Sequence, residues 1–299
     1  MQPCLPLPHR GISRISQWTR SLPDRNMIQS VPDARVLGDT VFRVTSGWSF
    51  AVFLFFGMLM MLDIGRRYGL RQRARHGELY AAGLSAVEGA LFALLGLLVA
   101  FTFSGAASRF DDRRALIVEE ANDIGTAYLR IDLLPLEAQP AVRQKFREYT
   151  DARIATYAAL PDIEKALEHL GRANELQGEI WKLAVPAAAQ AAPGSSASVL
   201  MLNALNAMFD ITNTRTWTTR MHPPIVVFLM LAALALGCAL IAGHGMSAAP
   251  ERNWLHMITF ALVLSSTVFV IVDLEFPRLG FFTVNEFDRA IVDVRKGMD

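Results

Sequence analysis

The chain carries only two cysteines, Cys4 and Cys238, in 299 residues. Two thiols cannot build a disulfide framework, and neither has the neighbours of a zinc site. The six histidines, His9, His76, His169, His222, His244 and His256, stand singly, so no metal and no cofactor is expected. Phosphate-cradling glycine loops, an HExxH helix and a GxSxG elbow are all missing, and with them the usual signs of an enzyme. Charge is scarce as well: 19% of residues are charged and the net charge is +1, which argues against a basic nucleic-acid binder. No alternating apolar pattern or hairpin turn suggests a strand. What the chain has is apolar surface: 52% of its residues are hydrophobic and its mean hydropathy is +0.29. That is too apolar for an ordinary soluble domain and too charged for a chain buried wholly in lipid.

Four runs account for the excess: residues 48–62, 86–107, 225–243 and 254–272. An α-helix rises 1.5 Å per residue, so about 20 apolar residues cross a hydrocarbon core of roughly 30 Å. The last three runs meet that length, and the first does so with its flanking residues. The expected architecture is all-α: a multi-pass membrane protein with four transmembrane helices and a helical bundle between helices 2 and 3. Residues 1–45 form a poorly ordered proline-bearing segment, 46–107 the first two spans, 108–222 the water-exposed helical domain, 223–276 the last two spans, and 277–299 an amphipathic tail. The first run begins too far from Met1 for a signal peptide, no A-x-A site follows it, and Met27 is an alternative start. Few lysines beside many arginines, with abundant alanine, point to a GC-rich bacterial source and an inner-membrane location.

Within residues 108–222 the apolar positions recur at helical spacing. Ile117, Ala121, Ile124 and Tyr128 share one stripe, and Glu119, Asn122, Thr126 and Arg130 a polar stripe opposite. Pro135 ends that helix, a second runs to Pro161, and a third occupies the following residues. A small-residue linker, 187–198, precedes a fourth helix on which Asn203, Asn206 and Asn213 could cross-link the bundle. Asp273 and Glu275 are read as caps or as partners of nearby arginines.

Orientation draws on two opposed signals. Arg66, Arg67, Arg71, Arg73 and Arg75 crowd the connection after the first span, which places that loop inside and the helical domain outside. Arg109, Arg113, Arg114, Arg215 and Arg220 flank the spans on the domain side and argue the reverse.

The second span sorts into two stripes. Gly89, Ala93, Gly96, Ala100 and Ser104 form a small-residue face suited to close helix packing. Beside it lie Phe92, Leu95, Val99 and Phe103, either packing residues or the apolar neck of a pore that gates by dewetting. Glu88, the one charge in this run, must face protein, water or headgroups, because a carboxylate in hydrocarbon costs on the order of a few kcal/mol.

Four segments carry a family likeness: GALFALLGLLVAFTFSGAASRFDDRRALIVEEANDIGTAYLR (89–130), MFDITNTRT (208–216), RMHPPIVVFLML (220–231) and DLEFPRLGFF (273–282). Together they resemble the bestrophin-like domain proteins of bacteria, and the span order resembles bestrophin channels. The resemblance implies a homo-oligomer in the lipid bilayer, a pentamer by analogy, that passes an inorganic ion through a neck on the second span. It also implies a cytoplasmic helical domain. The acidic calcium clasp of bestrophins has no match after Asp273 and Glu275. The alternative reading is a non-conducting membrane sensor or scaffold whose helical domain binds a ligand or partner.

If lipid is the solvent for these four runs, the expressed chain sediments with membranes on ultracentrifugation and enters the supernatant only with detergent. Recovery as a compact monodisperse particle without detergent would end this reading.

Overall fold

The computed structural model describes residues 34–76, 84–190, 196–249, 251–278 and 280–299. Most of the proline-bearing N-terminal segment and the middle of the expected linker, 191–195, lie outside the described residues. Among the described residues every regular element is helical: α1 (Ala34–His76), α2 (Leu84–Leu129), α3 (Gln139–Ala158), α4 (Ile163–Ala189), α5 (Ala197–Thr218), α6 (Ile225–Gly245), α7 (Trp254–Glu275) and α8 (Arg289–Lys296). Short 3₁₀ turns occupy Arg130–Leu133, Met246–Ala248 and Asn285–Asp288.

Local chemistry explains the boundaries. Pro140 stands in the first turn of α3, where its missing N–H costs nothing. The Asp162 carboxylate accepts the Lys165 amide and caps α4, and the Asn253 side chain does the same for α7 through the His256 amide. Pro224 precedes α6 in an extended conformation, so the chain turns sharply into the third span. Pro186 lies near the end of α4, and the helix continues past it to Ala189.

The helices α1, α2, α6 and α7 are each long and apolar enough to cross a membrane. They share one apolar cluster, with Leu54, Met58 and Leu62 of α1, Leu95 and Ala106 of α2, Leu231 and Ala235 of α6, and Met257, Ala261 and Val268 of α7. A second cluster joins the far half of α2 to α3, α4 and α5 through Ile124, Phe146, Leu176, Ile180 and Met208. Ile291 of α8 is buried in that same cluster, so the C-terminal helix packs on the bundle. The helix α2 belongs to both clusters. Its 46 residues run without a break for about 69 Å, more than twice the hydrocarbon thickness. One rigid rod therefore serves as membrane span and bundle helix.

Two expectations need correction. The arginines 66–75 do not lie in a loop: they form the last turns of α1, which extends to His76. Arg66 is buried and donates to the Ala249 carbonyl, and Arg73 donates to Ser247 Oγ, so part of this charge serves to hold the α6–α7 connection. Asn203, Asn206 and Asn213 all face outward on α5, away from the bundle interior that the apolar positions claim.

Glycine sets how closely α1 and α6 approach. A Cβ on Gly65 would collide with the Leu240 carbonyl, and one on Gly243 with the carbonyl of Leu62. Both obstacles are backbone and cannot yield. Gly243→Val is thus expected to separate the helices and destabilise the fold by about 1–3 kcal/mol, read as a lower apparent unfolding temperature in detergent. Gly178→Ala on α4, where an added Cβ meets nothing within 4 Å, should instead be neutral or slightly stabilising.

Candidate functional site

Two places in the molecule carry more polar or exposed chemistry than packing requires. One is the junction between the spans and the bundle. The other is the uncovered face of α2.

At the junction, Glu120 points from α2 into the bundle, with no part of its side chain exposed. Arg153 of α3 donates from Nε to Glu120 Oε1 at 2.6 Å, and Arg215 of α5 meets the second carboxylate oxygen. One acid thus ties three helices together. Burial works against the Arg153 charge, but Glu120 first and then Tyr157 and Tyr149 more than offset it, and the guanidinium is held above its ordinary pKa. Burial likewise pushes the Tyr149 phenol up, so it stays neutral and bonds Thr212 Oγ1 at 2.8 Å. Arg153, Arg215 and Arg278 gather around the ring of Tyr157, with centroid distances of 5.1, 4.1 and 4.3 Å. Arg278 is paired in turn with Asp288 by two hydrogen bonds, at 2.6 and 2.9 Å.

A second cluster lies at the membrane end. Glu275, the last residue of α7, is paired with Arg109 and has His222 Nδ1 at 3.6 Å. Arg113 donates to the Glu275 carbonyl at 2.9 Å and to the Met221 carbonyl at 3.1 Å, which fastens the exit of α7 and the entry to α6 onto α2. The Asp273 carboxylate accepts the amides of Phe281 and Phe282, turning the chain back after the span. So Asp273 caps backbone, and Glu275 pairs with arginines of α2. Between the two clusters opens a cavity of about 280 Å³, to which Arg113, Arg153, Arg215, Arg220, Arg278 and His222 all contribute. Glu120, Arg153 and Tyr157 are the residues sequence reasoning did not single out. Glu120 sits beside the polar stripe but faces the other way. Only Glu275, at the end of an apolar run, carried a usable signal; Glu120 and Arg215 stand among polar neighbours.

The polar stripe itself does not gather. Glu119, Asn122 and Thr126 are exposed, while Arg130 is half-buried and donates to the Leu200 carbonyl at 2.7 Å. Among the described residues no group of His, Cys, Asp and Glu could hold a metal ion.

On the membrane part of α2, the stripe considered for a neck divides. Leu95 is 4% exposed in the chain's own core, Phe92 meets Phe260 edge-on with centroids 6.2 Å apart, and Val99 packs beside them. Phe103 alone of the four is exposed. Glu88 is half-buried in the second turn of α2. The small-residue face is open throughout: Gly89, Ala93, Gly96, Ala100 and Ser104 are all exposed, with Leu94, Leu97 and Phe101 alongside. In its most apolar window, α2 has 11% of residues buried, against 22–28% for the other three spans.

This is an all-helical membrane protein of the bestrophin fold. The Bestrophin-like domain matches residues 51–286, and the chain belongs to that family. Its fold is similar to the crystal structure of a bacterial bestrophin homologue from Klebsiella pneumoniae phased on zinc, with 16% identity and a TM-score of 0.56 over 82% of this chain and 98% of that one. Two single-residue variants of the Klebsiella pneumoniae homologue give TM-scores of 0.58, at 15% and 14% identity, covering 81% and 84% of this chain and 98% of each of theirs. No curated protein matches the chain.

The shared carboxylate gives a stability test. Glu120→Leu leaves the buried Arg153 without its carboxylate and Arg215 with only Asp288 at 3.7 Å, and should cost about 3–5 kcal/mol. Replacing all three members by apolar residues, Glu120→Leu with Arg153→Met and Arg215→Leu, should recover much of that loss. The apparent unfolding temperatures of the two variants in detergent check the ordering.

Proposed function

We propose that the protein is a homo-oligomeric ion channel whose pore is lined by the open face of α2. The single observation that carries this reading is the bareness of that face. The other three spans have 22–28% of their most apolar residues buried against 11% in α2, which leaves a small-residue stripe uncovered along its membrane length. Lipid alone places no demand for small residues, while close helix approach around an axis does. The fold likeness to bestrophin homologues supports the same arrangement.

The middle of the open arc runs through Ala93, Leu97, Ala100 and Ser104. These residues, rather than Phe92, Leu95 and Val99, are assigned to the neck, because the latter are consumed by packing inside one subunit. No charged residue lies between Glu88 and Arg109, so this stretch is uncharged over about five turns of helix, and Ser104 is the one polar residue of the assigned neck. A narrow apolar passage controls ions by how readily it fills with water. A five-fold axis follows the family analogy, and the membrane is the bacterial inner membrane.

Reconstituted in planar bilayers, the oligomer is expected to conduct. Leu97→Ala should raise single-channel current by widening and wetting the neck, and Ala93→Trp should abolish it while leaving the subunit folded, since Ala93 is exposed within the chain. Leu95→Ala should lower stability without a selective change in current. A well-folded monomer or dimer with no conductance would overturn the proposal.

A further inference from the structure

We infer that the junction cavity is a binding site for an anionic amphiphile, a single apolar chain with an acidic head. The cavity's lining combines two chemistries. Arg215, Arg220 and Arg278 line it, the first and last of them over the Tyr157 ring. Leu116, Leu160, Leu167 and Leu170, from α2, the α3–α4 turn and α4, line it as well. A small soluble anion would match the cations and leave the leucines uncovered. A neutral lipid would cover the leucines and leave the cations unmatched.

Charge counting favours an anion. Arg113, Arg153, Arg215, Arg220 and Arg278 line the cavity, and the carboxylates that partner them are Glu120, Glu275 and Asp288. The excess is positive. Arg220 in particular rests over the Trp217 ring at 4.9 Å and has no carboxylate partner among the described residues. Two further donors are buried and unsatisfied: Arg153 Nη1, on a side chain with no exposure, and Nε of Arg113, which is 7% exposed. Unpaired buried donors of this kind are costly, a penalty that an acceptor entering the cavity would relieve. The volume of about 280 Å³ lies just under the roughly 300–1,000 Å³ typical of small-molecule sites, which suits one chain and not a two-chain lipid.

Position supplies the source. The cavity is bounded by His222 at the entry to α6 and by Glu275 to Arg278 at the exit of α7, the level at which the spans leave the apolar core. An amphiphile that partitions into the bilayer surface is therefore delivered at the mouth of the site. This assignment does not rest on conduction: it needs neither an axis nor a pore.

The full chain, purified in a steroid-based detergent, tests it by native mass spectrometry and thermal shift with four probes. Dodecanoate and dodecyl phosphate are expected to bind one per subunit and to raise the unfolding temperature. Dodecanol and inorganic phosphate should do neither. Arg220→Ala should weaken dodecanoate by about tenfold or more, the loss of one charge-assisted contact. Arg220 makes no ion pair among the described residues, so this variant should fold, and Leu167→Trp, which enlarges a residue of the apolar lining, gives an independent reading of the same loss. Binding of dodecanol as tight as dodecanoate, binding of phosphate alone, or indifference to both substitutions would each overturn the inference. Absence of current in bilayers would leave it untouched, and loss of probe binding would leave the pore reading untouched.

Discussion

A carboxylate cannot be left alone in a protein interior, and the architecture around Glu120 is arranged by that constraint. The desolvation cost of one buried charge is several kcal/mol, recovered only with well-placed counter-charges. Here they come from two different helices, Arg153 on α3 and Arg215 on α5. The position of Glu120 on α2 therefore fixes where α3 and α5 can lie. Arg278 and Asp288 then extend the network to the segment after the last span, and Tyr157 is the surface on which three guanidiniums meet. Like charges so close together are tolerated because carboxylates and a π face lie among them.

The network matters because of where it sits. The helix α2 is continuous from the membrane into the bundle, so a displacement of its bundle half is felt by its membrane half. Arg109 and Arg113 bind the exits of the spans to the same rod, one turn apart. Any ligand that changes the charge balance in the junction cavity acts on the helix whose other face is proposed to line the pore. Interfaces of this kind are packed and discrete rather than soft, which is the condition for a local event to have a distant effect.

Packing within the membrane follows a different rule. Lipid is as apolar as leucine, so helices gain little by hiding apolar surface and much by fitting closely. At Gly65 and Gly243 the backbones of α1 and α6 nearly touch, which is a contact made inside the subunit. On α2 the small residues have no partner among the described residues: a Cβ on Gly89 or Gly96 would meet nothing within 4 Å. The same residue type therefore has two meanings, and only the neighbouring element tells them apart.

Much of this was legible in the amino-acid order. The four spans, the helical connection and the stops near Pro135 and Pro161 follow from short-range patterns: run length, 3.6-residue spacing and proline's missing N–H; the family likeness rests on the four segments that resemble it. The arginine cluster 66–75 misled because composition cannot distinguish a loop from the end of a long helix. The Phe92 stripe was ambiguous for a related reason. A helix shows its periodicity, but which side meets its own subunit depends on α6 and α7, more than a hundred residues away in sequence. Glu120 with Arg153 and Arg215 was invisible in the same way, since each looks like an ordinary surface charge until the fold removes its water. Solvent and spacing determined the elements; the long-range pairing of charges and the choice of buried face were decided by the tertiary structure, because both depend on contacts that no local window contains.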